Sequence, residues 1–300
     1  VRRVRGGWQS TGRPWAYDAQ RYARVEAARA AEQEAMLHYE ALKAPECRMA
    51  FLRSALDSLA AELAEDERTH VLIPRITARY PEANVEDSYA IQNVWKEQRL
   101  AAGHRIVGRK IGLTSKAMQA ATGITEPDYG VMFEDTVVQT GAVLDFDSFA
   151  NVRIEVELAF VLKDALEGPN CTLFDVMRAT EYVTPALEVL NSHVELEGRT
   201  IVDTISDNAA YGAMVLGGNP TPPHAVDLRR VGALLYRNET IEETGLAAGV
   251  LNHPGIGVAW LANKLHQHGQ RLEAGEIILA GSFTRPMWVE RGDAVFCDYG

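Results

Sequence analysis

A single ten-residue stretch, Arg153-Ile154-Glu155-Val156-Glu157-Leu158-Ala159-Phe160-Val161-Leu162, constrains the fold more than any other part of the chain. Its even positions are all apolar, while Arg153, Glu155 and Glu157 occupy odd ones. That two-residue alternation is the signature of a half-buried β-strand, with one face turned to a core and the other carrying two carboxylates. Side chains two apart project from the same face with their Cα atoms roughly 6.6 Å apart, so Glu155 and Glu157 can converge on one small object. Two anions beside an apolar core repel through a poorly screening medium, and the pair needs a cation or a shared proton. A hard divalent ion such as Mg2+ or Mn2+ accepts carboxylate oxygens and keeps positions open for water or substrate. The spacing alone leaves open a solvated strand face with two unrelated glutamates.

The 300 residues, 47% of them apolar, are enough for one large domain or two small ones with a buried core and room for a cavity. A net charge of -11 argues against a general nucleic-acid or anionic-membrane surface and favours a small ligand. Cys47, Cys171 and Cys297 form neither a CxxC pair nor an even disulfide framework, which favours a reducing compartment. With no apolar run of about 18 residues, and no hydrophobic segment after the basic start, neither a membrane span nor a signal peptide is expected. The expected location is the cytoplasm.

Residues 1–48 carry nine Lys/Arg against six Asp/Glu, a net of +3 that leaves -14 for the rest, and this shift marks a boundary. A helical extension over 1–48, a helical region over 49–107 and a β-rich core over 108–300 are the expected divisions. Helices are expected over 17–42 and 50–64, and from the cap Asn84 to a stop at Gly103. Beyond Gly108, strands are expected near 110–113, 131–138, 153–162, 182–190, 210–216, 228–236, 276–280 and 294–297. Two helices interrupt them, one capped by Thr172 with Asp175 and one from Pro254 to Gly269. Strands outnumber helices and do not alternate strictly with them, so the expected class is α+β.

Four further clusters carry chemistry. In Arg109-Lys110-Ile111-Gly112, a lysine at a strand edge has a glycine two residues on; partly desolvated beside a metal, its ammonium is disfavoured and it can exchange protons. Glu126-Pro127-Asp128-Tyr129-Gly130 reads as a turn. Glu188 sits alone in the apolar run 185–190, where a buried charge needs a partner. Gly281-Ser282-Phe283-Thr284 offers hydroxyls and amides for a carboxylate.

These clusters, with Lys110 to Gln119, Pro127 to Gly130, Gly168 to Thr172, Asp203 to Ala209, Gly249 to Pro254 and Gly281 to Pro286, occur in an order that resembles a known group. It is the 2-oxo-4-enoate hydratase and 4-oxalocrotonate decarboxylase group of the fumarylacetoacetate hydrolase superfamily, and the resemblance runs from about residue 50 to the end. It implies a mixed β-sandwich or roll with an N-terminal helical region. Glu155, Glu157 and Glu188 are then the ligands of Mg2+ or Mn2+, Lys110 transfers protons, Asp128 lies close to the substrate, and Ser282 and Thr284 contact it. The implied activity is that of a lyase of aromatic-compound catabolism: addition of water to C4 of a 2-hydroxy-2,4-dienoate. A seven-carbon 1,7-dioate is the first candidate substrate; a decarboxylase or a five-carbon pentenoate hydratase is the alternative. A diacid needs a cationic handle, for which Arg109, Arg153 and Arg285 all qualify. A homo-oligomer is implied as well.

Val152 stands where members of the group commonly carry proline, and the group's chain continues for about one strand past Gly300, so a truncated end is expected. Arg13 to Asp18, Tyr22, Ala35 to Leu37 and Cys47 to Arg53 resemble the entry to the zinc-binding region of RecQ-type DNA helicases. Only Cys47 of that region's cysteine cluster is present, so no zinc site and no nucleic-acid partner are expected. A carbon–carbon hydrolase of the wider superfamily would carry a His/Glu dyad in an N-terminal lid, and His70 lacks its glutamate.

Overall fold

The computed structural model describes residues 2–4, 7–9, 56–65, 69–115, 119 and 126–300. Two units separate, Val1–Ala55 and Leu56–Gly300. In the first, strands β1 (Arg2–Val4) and β2 (Gly7–Gln9) pair antiparallel. The helix read over 17–42, the start of the one read over 50–64, and the helicase-like stretch lie outside the described residues.

The second unit opens with helices α1 (56–65), α2 (Ile76–Arg79) and α3 (Val85–Ala101). Strands β3 (Ile106–Gly112), β4 (Asp128–Phe133), β5 (Val137–Gln139) and β6 (Arg153–Leu162) follow. Then come α4 (Leu173–Ala179), β7 (Thr180–Leu190), α5 (Ile201–Ser206), β8 (Tyr211–Leu216), β9 (Gly232–Arg237) and β10 (Thr240–Leu246). Helix α6 (Pro254–His266) and strands β11 (Ile277–Leu279), β12 (Met287–Trp288) and β13 (Val295–Asp298) complete it. Helix α3 starts where Asn84 and Asp87 cap each other, each side chain accepting the other's N–H at 3.0 Å. The same device opens α4 and α5, through Thr172 with Asp175 and Thr200 with Asp203.

The main sheet has the order β4-β3-β11-β6-β7-β8-β5, with β12 also on β6. Only the three-residue turn Glu134–Thr136 separates β4 from β5, yet they lie at opposite ends of that order. The sheet must therefore curl into a half-barrel that brings its ends together, and Thr136 Oγ1 meets Tyr211 Oη at 2.8 Å across the closure. This turn breaks the single strand expected over 131–138. The segment 126–130, read as a turn, instead feeds β4, because Asp128, Tyr129 and Gly130 pair with Gly112, Ile111 and Lys110 of β3. Strands β10 and β12 carry no strong sequence pattern and were not expected, and helix α5 was not expected although it opens on a Thr-x-x-Asp cap. The architecture is the expected α+β arrangement.

The apolar face of β6 is buried as read: Ile154, Val156, Leu158, Phe160 and Leu162 join Val183 and Val189 of β7 and Val258, Leu261 and Leu265 of α6 in the main core. Each such side chain contributes roughly 1.5–3 kcal/mol on leaving water. The sheet's other face holds a smaller cluster of Met132, Ala159, Ala186, Met214 and Leu279. Residues of five strands, β4, β6, β7, β8 and β11, meet there. The odd positions of β6 open onto that side. Among the described residues no helix is long and apolar enough to cross a membrane.

Candidate metal centre

Strand register builds the site. In the antiparallel pair β6–β7, Glu155 stands opposite Glu188, and Glu157, two residues along, opposite Ala186. Cross-strand partners and i+2 neighbours share a face, so the three carboxylates project together. One oxygen from each lies within 4.8 Å of the others. Glu157 and Glu188 are fully buried and Glu155 is half-buried.

Buried carboxylates normally find donors. Glu157 Oε2 accepts from Gly281 N at 2.7 Å, but its Oε1 has no hydrogen-bond partner. Glu188 Oε1 lies 3.1 Å from Lys110 Nζ, close enough for an ion pair, yet neither Glu188 oxygen receives an aligned hydrogen bond. Burial first, and Glu188 second, push the Glu155 carboxyl up to about 7. Glu157 is pushed well above the usual carboxylate range by burial, Glu188 and Glu155. Burial also raises Glu188, against the pull of Lys110. Oxygens without donors, on acids that resist ionisation, form a donor set that a hard divalent ion satisfies in both hydrogen-bonding capacity and charge. The residues present fit such an ion.

Lys110 is in the interior of β3 rather than at an edge, flanked by β4 and β11, with Nζ donating to Ala209 O at 2.9 Å. The charges around it are those of the metal-free site, whereas the expectation of a disfavoured ammonium was for a lysine beside a metal. Burial does act that way, but Glu188, Asp128, Glu155 and Glu157 outweigh it and hold the proton more tightly than usual. Asp128 opens β4, fully buried, with Oδ1 unpartnered. Burial raises its pKa, against Lys110 and Arg199. Gly112 makes the room: a Cβ there would lie 2.1 Å from Asp128 Oδ1 and 3.4 Å from Lys110 Nζ.

The carbonyl that holds Lys110 comes from a left-handed run, Asn208, Ala209 and Ala210, with φ of 45°, 55° and 59°. Such residues cost about 1–3 kcal/mol each and persist only when their surroundings fix them. Here Asn208 clamps β4, accepting from Val131 N at 2.8 Å and donating to Val131 O at 2.9 Å. The sequence signal for this turn was an asparagine, which tolerates positive φ.

Between β11 and β12 the chain leaves the edge of β6 in a loop pinned by Ala280 N to Leu158 O and Phe283 N to Val156 O, both 3.1 Å. Gly281 sits at φ +114° against Thr114 and presents its N–H to Glu157. Ser282 and Thr284 are half-buried and bond each other, Ser282 Oγ donating to Thr284 O at 3.0 Å. The loop thus brings a main-chain amide to the carboxylates, and the two expected hydroxyls engage locally.

Of the candidate handles, Arg109 pairs with Glu276 at 3.1 Å and Arg285 with Glu243 at 2.9 Å. Arg153 and Arg199 instead both donate to Ser192 Oγ, at 2.8 and 2.7 Å. Arg199 escaped the sequence reading, as did the contact of His193 Nδ1 with buried Asp207 Oδ1 at 2.7 Å. Neither sits in a periodic pattern that would single it out.

No family model matches the sequence. Among curated proteins, 2-oxo-hept-4-ene-1,7-dioate hydratase of Escherichia coli is 52% identical over 248 residues, covering 81% of this chain and 93% of that protein. 4-Oxalocrotonate decarboxylase of Pseudomonas sp. (strain CF600) is 35% identical over 227 residues, 76% of this chain and 86% of its own. Among solved structures, 4-oxalocrotonate decarboxylase from Pseudomonas putida G7, complexed with magnesium and adipate, superposes with a TM-score of 0.80 at 34% identity, covering 82% of this chain and 93% of that one.

Proposed function

Since the chain belongs to the 2-oxo-4-enoate hydratase and 4-oxalocrotonate decarboxylase group of the fumarylacetoacetate hydrolase superfamily, we propose that it is a hydro-lyase adding water to C4 of 2-oxohept-4-ene-1,7-dioate, reached from its 2-hydroxy-2,4-dienoate form. Glu155, Glu157 and Glu188 hold Mg2+ or Mn2+ in this reading. The observation that carries it is the convergence of Glu155 with the fully buried Glu157 and Glu188, both of which keep unpartnered oxygens, beside a buried lysine. A relative named for that seven-carbon diacid at 52% identity favours hydration over decarboxylation, for which the relatives stand near 35%.

When bound, the ion supplies a Lewis acid for charge on the C2 oxygen and neutralises the carboxylates that otherwise tighten the proton on Lys110. Lys110, fixed by the Ala209 carbonyl, carries the proton that leaves the C2 hydroxyl and returns at C5, which gives the conjugated 2-oxo-3-enoate. Asp128, whose unpartnered Oδ1 and Lys110 Nζ both border Gly112, takes a proton from the water that adds at C4. C3 is protonated in turn, and the product is a 4-hydroxy-2-oxo acid. Ser282 and Thr284 keep the Gly281 amide in place as the substrate-side wall.

This reading takes residues 108–300 as the catalytic core and a homo-oligomer in the cytoplasm as the working form. Exposed Leu234, Ile241, Leu246 and Phe296 on the sheet β10-β9-β13 support the homo-oligomer, being apolar surface of the kind subunits bury. The test is the absorbance of 2-hydroxyhepta-2,4-diene-1,7-dioate, followed with and without Mg2+ while CO2 is monitored. Metal-dependent loss of the chromophore without CO2 is the expected result. Stoichiometric CO2 would make the protein a decarboxylase, and a protein that binds no divalent ion would remove the site assignment.

A further inference from the structure

We propose that Arg153 and Arg199 form the subsite for the distal carboxylate of the diacid, with Ser192 as the hinge that holds both guanidiniums; the assignment rests on the functional reading above. Arg153 projects from the same face of β6 as Glu155, roughly 6.6 Å along the strand. An extended seven-carbon dioate with its 2-oxo acid head at the carboxylates reaches that far. A five-carbon monoacid ends in a methylene and does not.

The chemistry of the pair singles it out. Arg153 and Arg199 converge on one fully buried hydroxyl, Ser192 Oγ. Neither has a carboxylate within ion-pair distance among the described residues, whereas Arg109, Arg285 and Lys110 all do. Arg153 Nε is also buried without a hydrogen-bond partner. Trp288 lies over the Arg153 guanidinium at 5.2 Å and narrows the directions from which a ligand can approach. Two cations directed at a single neutral oxygen repel each other, and the arrangement is completed by an anion that accepts from both.

The experiment compares 2-oxoheptanedioate with 2-oxoheptanoate, two unreactive ligands that share a 2-oxo acid head and differ only in the distal carboxylate. Each is titrated by calorimetry into Mg2+-loaded protein, wild type, Arg199→Gln and Arg199→Lys. Wild type is expected to prefer the dioate by about 30-fold or more, the scale of a buried charge-assisted pair. Arg199→Gln should lose most of that preference and Arg199→Lys should keep part of it. Equal binding of the two ligands by wild type, or equal weakening of both in Arg199→Gln, overturns the arginine assignment alone. Absence of binding by either ligand overturns the functional reading with it. The wild-type comparison needs no variant, so a poorly folding Arg199→Gln leaves the test intact.

Discussion

Replacing Gly112 by alanine tests whether Asp128 works from the place the fold gives it. The added Cβ would lie 2.1 Å from Asp128 Oδ1 and 3.2 Å from its Cγ. Close-packed interiors do not tolerate that approach, so the carboxylate must retreat by roughly 1 Å. It has little room, because every residue of β4 is buried. Overpacking of this kind costs about 1–3 kcal/mol, and each kcal/mol lowers Tm by roughly 2–4 °C in a domain of this size. A misplacement near 1 Å lowers kcat by about 100-fold. Glu155, Glu157 and Glu188 stand on β6 and β7, where the added Cβ meets none of them directly, so Mg2+ affinity should fall far less than kcat. Calorimetric Mg2+ titration and steady-state turnover of the dienoate measure the two effects separately. A variant with lowered Tm but kcat within about threefold of wild type would refute the role of Asp128, since a catalytic carboxyl displaced this far loses more.

Lys110→Met should lower kcat by about 10²–10⁴-fold, the usual share of a proton-transfer group, without weakening Mg2+ binding, because it removes a cation that competes for Glu188. Unchanged kcat would exclude Lys110 as the proton carrier. Glu157→Gln should abolish the thermal shift that Mg2+ gives wild type, and at pH 8 without metal it should be the more stable protein, since an amide carries no charge to bury; a full Mg2+ shift in this variant counts against the ligand set. Metal-free wild type should lose stability as pH rises. Glu155 moves from 4.5 in the open chain to about 7 when folded, so its contribution is complete below 4.5 and is lost as pH climbs through about 7. Lys110, raised above its ordinary value, stays protonated throughout that window and adds no slope. Urea midpoints in EDTA at pH 5 and pH 8 read this directly: a lower midpoint at pH 8, recovered by Mg2+, is expected, and a higher one contradicts the account.

The strand of Glu155 and Glu157 was legible because a period of two needs only local sequence, and β6 runs over the same Arg153–Leu162 that the alternation marks. Glu188 was legible as an acid in an apolar run, but its pairing with Glu155 depends on the register between two strands, which no local pattern carries. Capping chemistry located α3 and α4 for the same local reason. The curl was not readable, since it follows from β4 and β5 parting to opposite ends of the sheet after a three-residue turn. Asp128 was misread as a turn residue because Pro127 and Gly130 flank it, whereas pairing with β3 decides its conformation. The direction in which Lys110 shifts without the metal was likewise hidden, because the four acids around it all come from other strands of the curl, β4, β6 and β7.

The most direct measurement is the composition of the product formed from 2-hydroxyhepta-2,4-diene-1,7-dioate in ¹⁸O-labelled water, by metal-stripped protein with and without added Mg2+. The account predicts no conversion without the ion. With it, the product gains one water whose label stays at C4, and no CO2 is evolved. Conversion by the stripped protein, or loss of CO2 with no label at C4, would contradict it.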